Sequence, residues 1–348
     1  MSFKRLDPED ISISAESVVA PLFSNGSKYL TTFFTSSTQR ASSTGNFYYE
    51  VFHQNPNVGS SDAATARVQF SMAYADKTGG GSEDYDTAVS GKSPSSTIYG
   101  QYRNLVLGDE EEDIKFGGVA TDYFYALTVD RSRYKEKLLP GSFNLLLKKN
   151  IDGIGEKTLR LTDNSKDIST VSFNDAGRVY EIVSGSDGSA FTGAHSEGYA
   201  STDLGSYGKF LPDVGVVLLN GPALDAAAPS GLAFNVTRSL NTDGDNISKL
   251  YSSIRDGASG SLQSEETISS NFVFVRVRNS EFNYSTNPSN ITGSGELSHD
   301  IMINSPQAYI TTVGLYNDSN DLLAIAKLSR PLLKDFTKEA LVRIKLDY

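Results

Sequence analysis

The sequence predicts a mainly β fold: antiparallel sheets or sandwiches in two or three domains, with long loops and an extended N-terminal arm. Three observations carry this. The chain has 348 residues, more than one ordinary core organises. Its 30 Gly, 18 Tyr and 18 Phe stand among abundant Ser, Thr, Asn and Asp, which combines strand formers with turn formers. Several short runs alternate apolar and polar positions at period two, and neither an internal repeat nor a heptad pattern interrupts them.

Residues 1–45 read as the arm. Leu6-Asp-Pro-Glu-Asp-Ile11 is turn-like and Tyr29-Leu-Thr-Thr-Phe-Phe34 strand-like, but apolar residues are few, so little core is expected and a neighbouring molecule would order it. Residues 46–150 read as a β domain. Its runs are Asn46–Phe52, Ala66–Tyr74, Ile98–Leu107 and Tyr123–Val129, with a turn at Pro140-Gly141 feeding a last strand to Leu147. Asp76–Ser96 is a long loop containing Gly79-Gly-Gly81.

Residues 151–260 read as a loop-rich β region. Thr158–Leu161, Arg178–Val183 and Val214–Leu219 are strand-like, Ser184–Tyr207 is a Gly/Ser loop, and Asn246–Asp256 is a short helix. Residues 261–348 read as a C-terminal β module. Phe272–Arg278 puts Val273, Val275 and Val277 on one face. Tyr309–Tyr316 and Leu322–Leu328 form a hairpin across the five-residue loop Asn317–Asp321, and the segment ending at Tyr348 pairs into a sheet, with Leu341, Ile344 and Leu346 among alternating charges.

A formal charge of −11 without a Lys/Arg cluster argues against nucleic-acid or anionic-membrane binding, which needs cations to displace counterions. Zero Cys excludes disulfides, thiolate catalysis and cysteine-ligated zinc. The start, Met1-Ser-Phe-Lys-Arg-Leu-Asp-Pro8, lacks the apolar core of a signal peptide, and no run approaches the ~20 apolar residues of a membrane helix. A protein made in the cytoplasm and not inserted in a membrane is expected.

No chemical motif emerges. His53, His195 and His299 are far apart and read as surface or rim histidines. Asp109–Asp113 supplies oxygen ligands of the type calcium takes, but five adjacent side chains in one turn cannot converge on one ion. It reads as a solvated strand-to-strand turn or a contact to a basic neighbour. Asn241-Thr-Asp-Gly-Asp-Asn246 lacks the acidic first position and distal Glu of a calcium loop and reads as a turn cluster. Gly79–Gly81 is not followed by a phosphate-receiving helix and reads as flexible loop. The sequons at Asn235 and Asn290 carry no weight without a secretion signal. No catalytic, cofactor-binding or metal residue is therefore assigned, and no cofactor is expected.

Tyr309-Ile-Thr-Thr-Val-Gly-Leu-Tyr-Asn-Asp-Ser-Asn-Asp-Leu-Leu-Ala-Ile-Ala-Lys-Leu-Ser-Arg-Pro331 resembles a hairpin that recurs in phage tail-associated structural proteins. Ile98–Asp109, Arg133–Phe143 and Gly177–Gly185 resemble stretches of virion structural proteins of T4-like contractile-tailed phages, including cyanophages. This resemblance implies a non-enzymatic, multi-copy tail or baseplate part, assembled in the host cytoplasm, whose partners are other virion proteins in a symmetric assembly. The alternatives are a neck, collar or capsid-decorating protein, and a receptor- or glycan-binding module whose loops 76–96 and 184–207 stack on sugars.

Overall fold

A computed structural model describes residues 3–23, 26–30, 33–36, 48–193, 195–197, 204–228, 230–285 and 287–347; for 34–36 and 301 it describes backbone only. The chain is mainly β and forms two compact units, Val18–Glu266 and Met1–Ser17 with Thr267–Tyr348. These lines differ from the four sequence segments, because residues 46–150 and 151–260 contribute strands to one sheet.

In chain order the strands begin with β1 (Ile11–Pro21), β2 (Tyr29–Leu30), β3 (Phe34–Ser36), β4 (Tyr48–Phe52) and β5 (Val68–Asp76). After helix α1 (Pro94–Leu107) come β6 (Lys115–Phe116), β7 (Val119–Ala120), β8 (Tyr123–Val129), β9 (Lys137–Leu138) and β10 (Asn144–Ile151). There follow β11 (Gly155–Asp163), β12 (Ser172–Asn174), β13 (Gly177–Ser186), β14 (Ser189–Ala190), β15 (Gly208–Leu211) and β16 (Val216–Asn220). Helices α2 (Gly221–Asp225) and α3 (Asn246–Gly257) precede β17 (Ser259–Ser261) and β18 (Gln263–Val277). The chain closes with α4 (Ile301–Asn304), β19 (Ala308–Tyr316), β20 (Leu322–Lys334) and β21 (Ala340–Asp347).

The larger unit is built on one antiparallel sheet with the order β2-β17-β10-β11-β13-β15-β16-β8-β5-β4-β3. Its middle is covered on both faces. Tyr125, Leu127 and Val129 of β8 and Val217 and Leu219 of β16 enter one core, with Leu250 and Ile254 of α3. Phe124 and Ala126, with Val216 and Leu218, enter a second core against Tyr99 and Val106 of α1. Double coverage explains why β8 and β16 read as mostly apolar runs, whereas strands with one wet face alternate.

Helix α1 corrects the expectation of a β run over Ile98–Leu107. Its signals are local: Ser93 and Ser96 form a reciprocal cap, Pro94 occupies the first turn, and Gly108 closes the helix at φ 62°. Ile98, Tyr99, Tyr102, Leu105 and Val106 then recur at spacings of three and four, the helical period. Strand propensity of the tyrosines obscured it. The acidic run Asp109–Asp113 is consequently a helix-to-strand connection, not a turn between strands. Helix α3 matches its expected span within a residue, with Ile247, Leu250 and Ile254 on the buried side.

The arm needs a second correction. Its stretch Ile11–Pro21 is extended and exposed along its length, but Leu22, Phe23, Leu30 and Phe33 are buried in the core of the larger unit. Four large apolar side chains in a Ser-rich segment suffice to anchor it, so the expectation of little core fails there. Thr31, Thr32, 37–45, Asn46 and Phe47, within the sequence runs named above, lie outside the described residues.

In the smaller unit, β18 pairs with β21 from Ser270↔Asp347 to Val277↔Ala340, in a sheet ordered β1-β18-β21. Val273, Val342 and Ile344 form its core, joined by Val275 and Leu346. Leu341 points the other way and is 65% exposed, because the inward row at period two is Val342, Ile344 and Leu346. The hairpin forms as expected, β19 on β20. Its pairing jumps from Thr312↔Lys327 to Ile310↔Leu332, so the excess residues bulge from β20 and Pro331 sits where no ladder donor is required.

Candidate interaction surface

The residues that sequence reading weighed for chemistry stay dispersed. Burial, then the charge of Arg133, pushes His53 below the usual histidine range. His195 stacks on Phe191 at 3.8 Å and accepts the Glu197 N–H on Nδ1 at 3.1 Å. His299 is exposed in the smaller unit. Among the described residues no three His, Asp or Glu side chains are grouped to hold a metal ion, and no helix is long and apolar enough to cross a membrane.

Gly79–Gly81 is not loose loop but part of a clasp. A Cβ on Gly80 would lie 2.1 Å from the Arg238 carbonyl, and one on Gly79 2.2 Å from that of Gly91. Around this close approach, Ser93 Oγ donates to Gly79 O at 2.7 Å and Ser95 Oγ to Gly80 O at 2.9 Å. Asn246, from the Asn241–Asn246 cluster, bonds both the N–H and the carbonyl of Thr237. Below them Asp76, fully buried, accepts from Arg238 Nε at 2.6 Å and from Thr78 N and Oγ1 at 2.8 and 2.6 Å. The residual void is about 10 Å³, room for about one water. Each polar side chain named here is matched, so the clasp holds loops in place.

The tyrosines of the two long loops divide. Tyr85 is half exposed, Tyr207 is buried with its hydroxyl donating to Ser230 O, and Tyr199 lies outside the described residues.

The surface that stands out is on the hairpin. Val313, Leu315, Ala326 and Leu328 pack towards the core of the smaller unit. The opposite row leaves Tyr316 37%, Leu322 47% and Ile325 57% exposed, and Leu323 in the adjoining bulge is 68% exposed. Phe3 meets the Tyr316 ring edge-on at 5.1 Å and is itself 57% exposed. An apolar face of this kind costs solubility unless something covers it.

Beside the hairpin, a groove of about 400 Å³ is lined by Ser285, Asn290, Met302, Ser305, Gln307, Ala308 and Tyr309. The lining carries no formal charge, and Tyr309 is 63% exposed. Neither composition nor period pointed to this groove, because its walls combine irregular segments with Met302 of α4 and the first two residues of β19, which only the fold brings together. No protein-family model, curated protein or solved structure matches the chain.

Proposed function

We propose that the chain is a non-enzymatic structural subunit of a contractile-tailed phage virion, placed in the tail or baseplate, that joins its neighbours through multivalent protein–protein contacts. The observation that carries this is the row Tyr316, Leu322, Leu323 and Ile325, exposed on a hairpin whose other face is already packed, with the exposed Phe3 against Tyr316. A two-stranded ribbon is marginal by itself, and covering its outer row would stabilise it by roughly 25 cal/mol per Å² buried. The resemblance of residues 309–331 to tail-protein hairpins supplies the type of assembly, and particle symmetry would supply the copy number. A neck, collar or capsid-decorating position uses the same surface.

Quantitative mass spectrometry of purified particles tests this, with the chain expected at a fixed integer stoichiometry. A Leu323→Ser/Ile325→Ser variant should fold normally yet be excluded from particles. Incorporation at wild-type level would remove the hairpin from the interface, and absence of the chain from particles would end the virion reading.

A glycan-binding role is the second reading, favoured by the uncharged groove with its Tyr, Asn and Gln side chains. Blocking of phage adsorption by the isolated protein would favour it.

A further inference from the structure

We infer that the outer face of the β18–β21 pair binds the acidic loop Asp109–Asp113 of a second copy of this chain, head to tail. The register places Phe272 with Lys345, Phe274 with Arg343 and Arg276 with Leu341 on the face opposite the core. Arg343 lies 5.1 Å from the centre of the Phe272 ring and Lys345 6.0 Å. Arg276 is paired with Glu339 at 2.8 Å and Lys345 with Asp347 at 3.0 Å. Arg343 has no carboxylate partner among the described residues. Arg278, just past the strand, adds a further exposed cation. The face is therefore basic on a chain of net charge −11, and it carries aromatic and aliphatic surface as well, with Leu341 65% exposed.

The occupant is argued from charge. In the larger unit, α1 ends at Gly108 and hands the chain to Asp109, Glu110, Glu111, Glu112 and Asp113. Asp109 Oδ1 accepts the N–H of Glu111 at 2.6 Å and of Glu112 at 3.3 Å. These bonds hold the Asp109 carboxyl below the usual carboxylate range and fix the turn. Asp113 is paired with Lys77 at 2.6 Å, while Glu110, Glu111 and Glu112 are exposed and project from one ordered turn. The negative end of the α1 dipole points the same way. A preorganised anionic knob and an aromatic-backed cationic face are complementary partners, and every copy carries one of each. Such a heterologous contact repeats from copy to copy and closes into a ring or extends as a stack.

This deepens the assembly reading, resting on it for the multi-copy setting. Sedimentation velocity of the full chain at about 0.05 M and about 0.5 M salt tests it, since screening acts strongly across that range. Concentration-dependent association is expected at low salt and its loss at high salt. An Arg343→Glu/Lys345→Glu variant and a Glu110→Lys/Glu111→Lys/Glu112→Lys variant should each be monomeric with unchanged circular dichroism. Mixed one to one, the two should associate again, because each then meets a complementary surface; a misfolded variant cannot give that rescue. A monomeric wild type at low salt, association that survives either reversal, or failure of the mixture to associate would each overturn the contact. A chain that is monomeric yet stoichiometric in virions would sink this contact and leave the assembly reading standing.

Discussion

Removing Arg238 is the sharpest test of the clasp. Asp76 is fully buried and accepts four hydrogen bonds: from Arg238 Nε at 2.6 Å, Thr78 Oγ1 at 2.6 Å, Thr78 N at 2.8 Å and the Tyr74 hydroxyl at 3.3 Å. Arg238→Ala leaves that carboxylate buried without its counter-charge. Breaking a buried pair from one side typically costs 3–5 kcal/mol, roughly. The Arg238 side chain is 33% exposed, so water enters the gap and the cost falls below that range, to about 2–3 kcal/mol. Loss of the guanidinium from above the Tyr123 ring, 4.7 Å away, adds about 0.5–1 kcal/mol. The assay is urea unfolding followed by circular dichroism and tyrosine fluorescence, fitted with separate transitions for the two units. The larger unit's midpoint should fall with its slope unchanged, and the smaller unit's should stay. In a cycle with Asp76→Ala, the coupling should come to about 1.5–3 kcal/mol. A destabilisation under about 0.5 kcal/mol, or a coupling indistinguishable from zero, would refute the idea that this pair organises the loops.

Gly80→Ala should destabilise the larger unit by about 1–3 kcal/mol through overpacking against the Arg238 carbonyl. Gly100→Ala, inside α1 with open space around its Cβ position, should stabilise it by about 0.5–1 kcal/mol; thermal midpoints of the two variants should move in opposite directions. Leu30→Ala should cost about 2–5 kcal/mol, and deletion of residues 1–45 should unfold the larger unit, measured as loss of its cooperative melt; a folded truncation would show that Leu22, Phe23, Leu30 and Phe33 are dispensable. Burial raises the Asp213 carboxyl, but two-pronged donation from Arg178 outweighs it and holds the group below the usual aspartate range. A depressed folded value gives stability that is complete above the ordinary aspartate range and lost as pH falls through it towards the folded value. Asp213→Asn should therefore lower the melting point at neutral pH and lose less on acidification than wild type does; parallel acid limbs would contradict this.

Legibility followed the physics of each segment. Strands facing one core and water, such as Phe272–Val277 and Leu341–Asp347, write their register as alternation. The hairpin added a polar loop of fixed length between two apolar runs. Helix α3 was readable because Ser248, Lys249 and Ser252 stand between Ile247, Leu250 and Ile254 at helical spacing, and Arg255 and Asp256 mark its wet side. Helix α1 was not, since Tyr99 and Tyr102 are strand formers by propensity and the pattern is helical only once Ser93, Pro94 and Gly108 are read as caps. The clasp was invisible for a different reason. Asp76 and Arg238 are 162 positions apart, and Gly79–Gly81 looks like any loop glycine run until the backbone it must clear is known. The apolar residues of the hairpin were visible, but exposure is a property of the partner face: Ile325 and Ala326 are neighbours in sequence, and only pairing with Gly314 and Val313 assigns one to water and the other to the core.

That distinction also bears on where function resides. Apart from the exposed Glu110–Glu112 turn, several polar side chains of the larger unit are spent inward. Asn144 binds the Ser261 hydroxyl and Asp187, Thr162 binds the Phe143 carbonyl, and Asn246 clamps Thr237. Side chains held this way position loops. In the smaller unit the imbalance runs outward, with apolar side chains on the hairpin and cations on the β18–β21 face facing solvent. Evolution tolerates such surface where a neighbour covers it. If the hairpin row and the basic face serve separate neighbours, Leu323→Ser/Ile325→Ser should leave salt-dependent self-association intact while blocking incorporation into particles. Loss of both together would mean that the two faces form a single interface.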